Sequence, residues 1–229
     1  MKKLIISSTI VLVFGLLTPH TTQAQGIVYL SSLDQTSASS IAVGSNSWLG
    51  VAFRTGANAG GYLLNSIQLG MADDSGNPSS FTVMLYSSIP LGDFFPGTDL
   101  GTLNGSSTPA TSGIYTYTPV STLALSPQTA YFLVLTAGTA IADGAYNWSV
   151  ATSGNTQNGG WQSPIGLTRG DNYNSVDGSS WTVANITPPQ FAITATAIPE
   201  PGILSLFGMG SLVLFGIFYR RCHPRIGSR

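Results

Sequence analysis

Between residues 25 and 197 the only acids are Asp34, Asp73, Asp74, Asp93, Asp99, Asp143, Asp171 and Asp177, and the stretch contains no His, Cys, Lys or Glu. A Ser-His-Asp or Cys-His nucleophile needs an imidazole base, so acyl transfer of that kind is excluded. An ordinary His- or Cys-ligated zinc site is excluded for want of ligands. Glycoside hydrolysis stays chemically open, because it asks only for two carboxyl groups at a suitable separation. Most of these aspartates, however, stand beside Gly, Ser or Asn, the setting in which a carboxylate bonds local backbone in a turn. The stretch therefore reads as non-enzymatic, with no cofactor and no metal expected.

Asp73-Asp74-Ser75-Gly76-Asn77 gathers oxygen ligands as calcium requires, but lacks the regular spacing and terminal Glu of an EF-hand loop. A polar hairpin turn explains it, and Asp171-Asn172-Tyr173-Asn174 reads the same way. Planar rings on a β-domain offer a different chemistry, stacking on sugar faces. Trp148 and Trp181 alternate with Val150 and Val183, which is a core-facing pattern. Trp161 lies in the polar loop Asn158-Gly159-Gly160-Trp161-Gln162 and is the expected surface contact for a ligand, with a ring folded back over the domain edge as the alternative.

Charge narrows the partners further. The same stretch carries two basic residues, Arg54 and Arg169, against the eight aspartates, a net of −6 that the whole-chain value of −1 conceals. Nucleic acid is excluded, since that affinity comes largely from Lys and Arg displacing counterions. The one cysteine, Cys222, lies near the C-terminus, so no intrachain disulfide is available and stability must come from a core. About 170 residues suffice for one domain.

The elements that must position these side chains read as short strands. Phe81, Val83 and Leu85 alternate on one face, and Leu63, Ile67 and Leu69 are assigned to a shared face around Asn65 and Gln68. Tyr131-Phe132-Leu133-Val134-Leu135 is apolar throughout, as expected of a central strand covered on both sides. Further strands are predicted over 27–31, 47–54, 114–118, 145–151, 181–184 and 190–196. Ser126-Pro127 marks a turn, while Asp143-Gly144 and Asp177-Gly178 are two-residue hairpin signals. Nine or ten such strands with no helical periodicity predict an all-β fold, an antiparallel β-sandwich with a jelly roll as the alternative.

Both ends of the chain depart from this pattern. Lys2 and Lys3, the apolar run 4–17 and the small-residue stretch ending at Ala24 have the three regions of a signal peptide, predicting export by the Sec machinery and removal of residues 1–24 by signal peptidase. At the other end come Pro199-Glu200-Pro201, an apolar run over 202–219 without a charge, and Arg220, Arg221, Arg225 and Arg229. Eighteen apolar residues are about the minimum for a transmembrane helix, and a basic flank stays cytoplasmic, which puts the chain before Pro199 outside the inner membrane. The prolines bracketing Glu200 stop that helix from propagating backwards.

This three-part end resembles the PEP-CTERM sorting signal of Gram-negative bacteria, over residues 198–225 with the basic tail running 220–229. The resemblance implies an exosortase-type sorting protease as partner, with Pro199, Glu200 and Pro201 as the sorting motif and Arg220, Arg221 and Arg225 as the basic stop-transfer tail. A plain anchor that is never cut is the alternative. The domain over 25–197 resembles the choice-of-anchor domains of type R through residues 62–69, 81–86, 112–117 and 125–135, which carry no assigned activity. Two roles follow as expectations: a structural or adhesive component of the cell surface or extracellular matrix, or a module that binds carbohydrate such as exopolysaccharide.

Overall fold

The computed structural model describes residues 26–91, 93–163, 172–184 and 188–200. The predicted signal peptide, Arg169, Asp171, Pro201, the apolar run 202–219 and the basic tail lie outside the described residues. Within them the chain is all-β, with no helix, and so holds no helix long and apolar enough to cross a membrane. In order the strands are β1 (Ile27–Ser31), β2 (Ser37–Val43), β3 (Trp48–Arg54), β4 (Tyr62–Gly76) and β5 (Thr82–Leu91). Then come β6 (Asp93–Asn104), β7 (Gly113–Pro119), β8 (Ala124–Leu125), β9 (Ala130–Thr136) and β10 (Gly144–Ala151). The last are β11 (Thr156–Gln157), β12 (Asn172–Ser175), β13 (Thr182–Val183) and β14 (Phe191–Ala197).

These strands form one curled sheet in the order β11-β1-β14-β4-β7-β6-β5-β9-β3-β12-β13, antiparallel at every pairing, with β10, β2 and β8 attached through β4. Among the described strands, the one pairing that joins its two halves is that of Leu103 and Asn104 of β6 with Pro119 and Thr118 of β7. Apolar side chains from both halves enter one core: Leu30, Ile67, Leu69, Phe191 and Ile193 from the first, and Phe53, Val83, Leu85, Leu133 and Leu135 from the second. Burying each such side chain contributes roughly 1.5–3 kcal/mol relative to leaving it in water. With no cysteine among residues 25–197, this burial substitutes for covalent staples.

The central strand behaves as its composition predicts. β9 pairs β3 on one side and β5 on the other, and all seven of its residues are buried. Tyr131, Leu133 and Leu135 face the main core, whereas Phe132 and Val134 face a second cluster with Ala52, Met84, Tyr86 and Tyr173. Trp181 and Phe95 pack over that second cluster, so the run is covered on both faces.

Four sequence expectations are corrected. Leu63 does not share a face with Ile67 and Leu69: opposite the adjacent Thr194 and Ala195 stand Ser66 and Leu64, leaving Asn65 as an extra residue that reverses the alternation. The buried set of β4 is accordingly Tyr62, Leu64, Ile67, Leu69 and Met71. Asp143-Gly144 does not join a hairpin, because β10 pairs β2 and β4 rather than β9. Asp73-Asp74-Ser75-Gly76 is the end of β4 and not a turn. Asp177-Gly178 does sit between paired strands, but in a six-residue loop over 176–181, with Gly178 at φ +74°.

Two measurements follow from this packing. Leu133→Ala should lower unfolding free energy by about 2–5 kcal/mol, as core truncations do, whereas Ile114→Ala, at a side chain 58% exposed, should change it by less than about 0.5 kcal/mol. Equilibrium denaturation of the two variants compares them directly. Burial also holds the Tyr117 hydroxyl, which donates to the Ser106 carbonyl at 2.9 Å, above its ordinary ionisation near 10.0, and raises Tyr29, Tyr86 and Tyr146 in the same sense. A raised folded-state pKa stabilises the neutral form, so that stability is complete below the ordinary value and lost as pH rises past it. Melting temperature should hold from about pH 8 to 9 and fall above about pH 10, less steeply in Tyr117→Phe.

Candidate functional site

The described domain has a single basic side chain, Arg54, and its surroundings are built by β3, β9 and the loop after β11. Arg54 ends β3, with its Cα opposite Ala130 of β9 and a bridge to Gln162 on its other side. The Arg54 amide donates to the Gln162 carbonyl at 2.9 Å and the Gln162 amide returns a bond to the Arg54 carbonyl at 3.0 Å. Next along the chain, the Thr55 amide donates to the Thr129 carbonyl at 3.1 Å, and the Thr55 hydroxyl donates to the Ser126 carbonyl at 2.6 Å. The Gln128 amide donates to the Gly56 carbonyl at 2.9 Å. Turn 126–129 is thereby strapped to the end of β3.

Gln128 adopts φ +50° in this turn, directly after Pro127. That is the position of a Pro-led turn where Gly or Asn is favoured, since a Cβ is crowded at positive φ. Its side chain is exposed, as is that of Gln162. Arg54 and Gln128 stand together between two cavities, one of about 410 Å³ bordered by Ser87, Ser88, Leu100 and Tyr131, the other of about 510 Å³ bordered by Thr55, Gly56, Gly160 and Gln162. Among the described residues no aspartate lines either cavity. A Cβ on Gly56 would come within 2.0 Å of the Gly159 carbonyl, so glycine is required where the two loops touch.

Trp161 is not a surface contact. Its ring is 1% exposed, stacked on Tyr29 at 4.8 Å between centroids and on Phe53 at 5.9 Å, with the Tyr62 ring edge-on at 5.0 Å. The glycines before it carry φ values of +57° and +75°, which turn the loop so that the ring enters the core while Gln162 stays outside. Trp161 thus anchors one wall of the groove from beneath. Trp148 is core-facing as expected, 1% exposed, its indole N–H donating to the Gln190 carbonyl at 2.9 Å.

Of the sorting-motif residues, Pro199 and Glu200 are described. The Ile198 amide donates to the Gly61 carbonyl at 3.0 Å, the Asn58 side-chain amide donates to the Ile198 carbonyl at 2.9 Å, and the Ala59 amide donates to the Glu200 carboxylate at 3.1 Å. The end of the domain is therefore tied to loop 58–61, immediately after the residues that border the groove. Pro201, Arg220, Arg221 and Arg225 lie outside the described residues.

Several carboxylates are engaged with backbone. Asp99 accepts from the Gly101 amide at 2.8 Å and Asp73 from the Ser112 amide at 2.7 Å. Asp177 accepts from the Ser180 and Ser179 amides at 3.0 and 2.9 Å, and these bonds, Ser180's first, hold its carboxyl far below the usual range. Among the described residues no three His, Cys, Asp or Glu side chains come together as metal ligands. Among the described residues the groove's border therefore combines one guanidinium, amides and hydroxyls with the apolar Leu100, Ala124, Ala130 and Tyr131, and includes no carboxylate.

Comparison with family models, curated proteins and solved structures finds no match to the chain. Residue roles therefore rest on the geometry itself. Sequence reasoning missed Arg54, Gln128 and Gln162 as a group; the one available signal was a glutamine following Ser126-Pro127 where turn chemistry favours glycine. Trp161→Ala should destabilise the protein by about 3–5 kcal/mol, as large aromatic-to-alanine changes in cores do. A surface ring would leave the denaturation midpoint almost unchanged.

Proposed function

We propose that the chain is an exported cell-surface or extracellular-matrix protein with a non-enzymatic, structural or adhesive role, processed through its C-terminal sorting signal. The observation that carries this reading is the order Pro199-Glu200-Pro201, uncharged run 202–219 and the arginines from Arg220 onward. In this reading the Sec machinery and signal peptidase act at residues 1–24. The apolar run then holds the precursor in the inner membrane with the β-domain outside, and an exosortase-type protease cuts near the motif and passes the domain to the surface of a Gram-negative cell. The position of the last described strand supports it, because β14 ends at Ala197 and the motif follows two residues on. We read the curled sheet as an antiparallel sandwich, since one core draws on both of its halves.

Carbohydrate binding is the second reading, and the groove around Arg54 and Gln128 favours it now that Trp161 is buried. For the sorting step, replacing Pro199-Glu200-Pro201 with three alanines should leave export intact and retain full-length protein in the inner membrane. A plain anchor predicts a variant identical to wild type in size and location. Fractionation with an antibody against the β-domain, together with the mass of the mature C-terminus, separates the two; wild-type protein still ending at Arg229 in a strain with an exosortase would overturn the sorting step.

A further inference from the structure

We propose that the groove on either side of Arg54 and Gln128 binds a strand of acidic, uronate-bearing polysaccharide. This deepens the carbohydrate-binding reading and rests on it. Four observations converge. First, two cavities of about 410 and 510 Å³, each the size of a small-ligand site, share Arg54 and Gln128 as their common border, so a ligand longer than one cavity passes between both residues.

Second, charge is inverted locally. Eight aspartates make the domain acidic, yet none of the described ones borders the groove, and the sole described cation does. An anionic chain is repelled elsewhere and tolerated here. A guanidinium carries five N–H donors in a fork that fits a carboxylate, and Arg54 lines both cavities.

Third, Gln128 holds φ +50° in a position that glycine would occupy without strain. Its backbone role, the bond to Gly56, needs no side chain. A strained residue with an exposed amide is explained if the side chain serves a ligand. Fourth, the walls are preorganised: the Trp161 stack fixes Gln162 from below, and the Thr55 bonds fix turn 126–129. Gln162 then offers an exposed amide to sugar hydroxyls, opposite the apolar border made by Leu100, Ala130 and Tyr131.

The test uses the full chain in a zwitterionic detergent, which has no sugar head group, with polygalacturonate and neutral dextran as probes in affinity electrophoresis. Wild type should be retarded by polygalacturonate and not by dextran. Gln128→Gly should weaken that retardation about tenfold while its melting temperature stays equal or rises, because the glycine relieves the positive φ. Arg54→Gln should weaken it about tenfold or more, the size of a lost charge-assisted contact. Undiminished binding in both variants would overturn this site while leaving carbohydrate binding standing. Binding of dextran alone would overturn the acidic ligand, and retardation by neither probe would overturn both the site and the carbohydrate reading.

Discussion

Strand β9 meets water on neither face, and the rest of the domain depends on that double burial. A strand exposes alternate side chains to opposite sides. Tyr131, Leu133 and Leu135 therefore need a core on one side while Phe132 and Val134 need another on the other. The first demand curls the sheet until β1, β4 and β14 contribute to the same core as β3, β5 and β9. The second brings Trp181, Phe95 and Tyr173 over the outer face of β3, β5 and β9, which would otherwise present an apolar patch to solvent. With no disulfide available, both layers are held by packing alone.

That packing also sets the groove. Phe53, adjacent to Arg54, is buried in the main core, and the alternation of β3 sends the next side chain to the opposite face. Trp161 stacks parallel to Phe53, and its neighbour Gln162 pairs with Arg54 in register. The aromatic layer below and the polar border above are two faces of the same strand pair. Glycine at 56 permits the approach, because a Cβ there would strike the Gly159 carbonyl, and glycines at 159 and 160 supply the positive φ of the loop.

The chemistry left to the surface is narrow and consistent. The described aspartates that contact backbone amides stabilise turns and strand ends, and the domain has no imidazole, thiol, lysine or glutamate to move a proton near neutral pH. The bonds from Ile198 and Glu200 to loop 58–61 hold residues 198–200 next to the residues that border the groove.

Local sequence determined a good deal. The all-β class, the positions of β1, β3, β5, β10 and β14, the two-sided burial of β9 and the inward face of Trp148 all follow from alternation and composition, which act within a few residues. Strands β2 and β6 did not announce themselves, since Ser-Ala-Ser-Ser has no apolar period and Pro96, Gly97 and Gly101 interrupt β6; pairing with β10 and β5 makes them strands. The parity of β4 was hidden for a related reason, because the bulge at Asn65 exists only against β14. Trp161 illustrates the limit most sharply. Its neighbours are polar and glycine-rich, and only Tyr29, Phe53 and Tyr62, distant in sequence, supply the pocket that buries it. Arg54, Gln128 and Gln162 come from three separate segments, and their meeting is a product of strand register, which no single segment encodes.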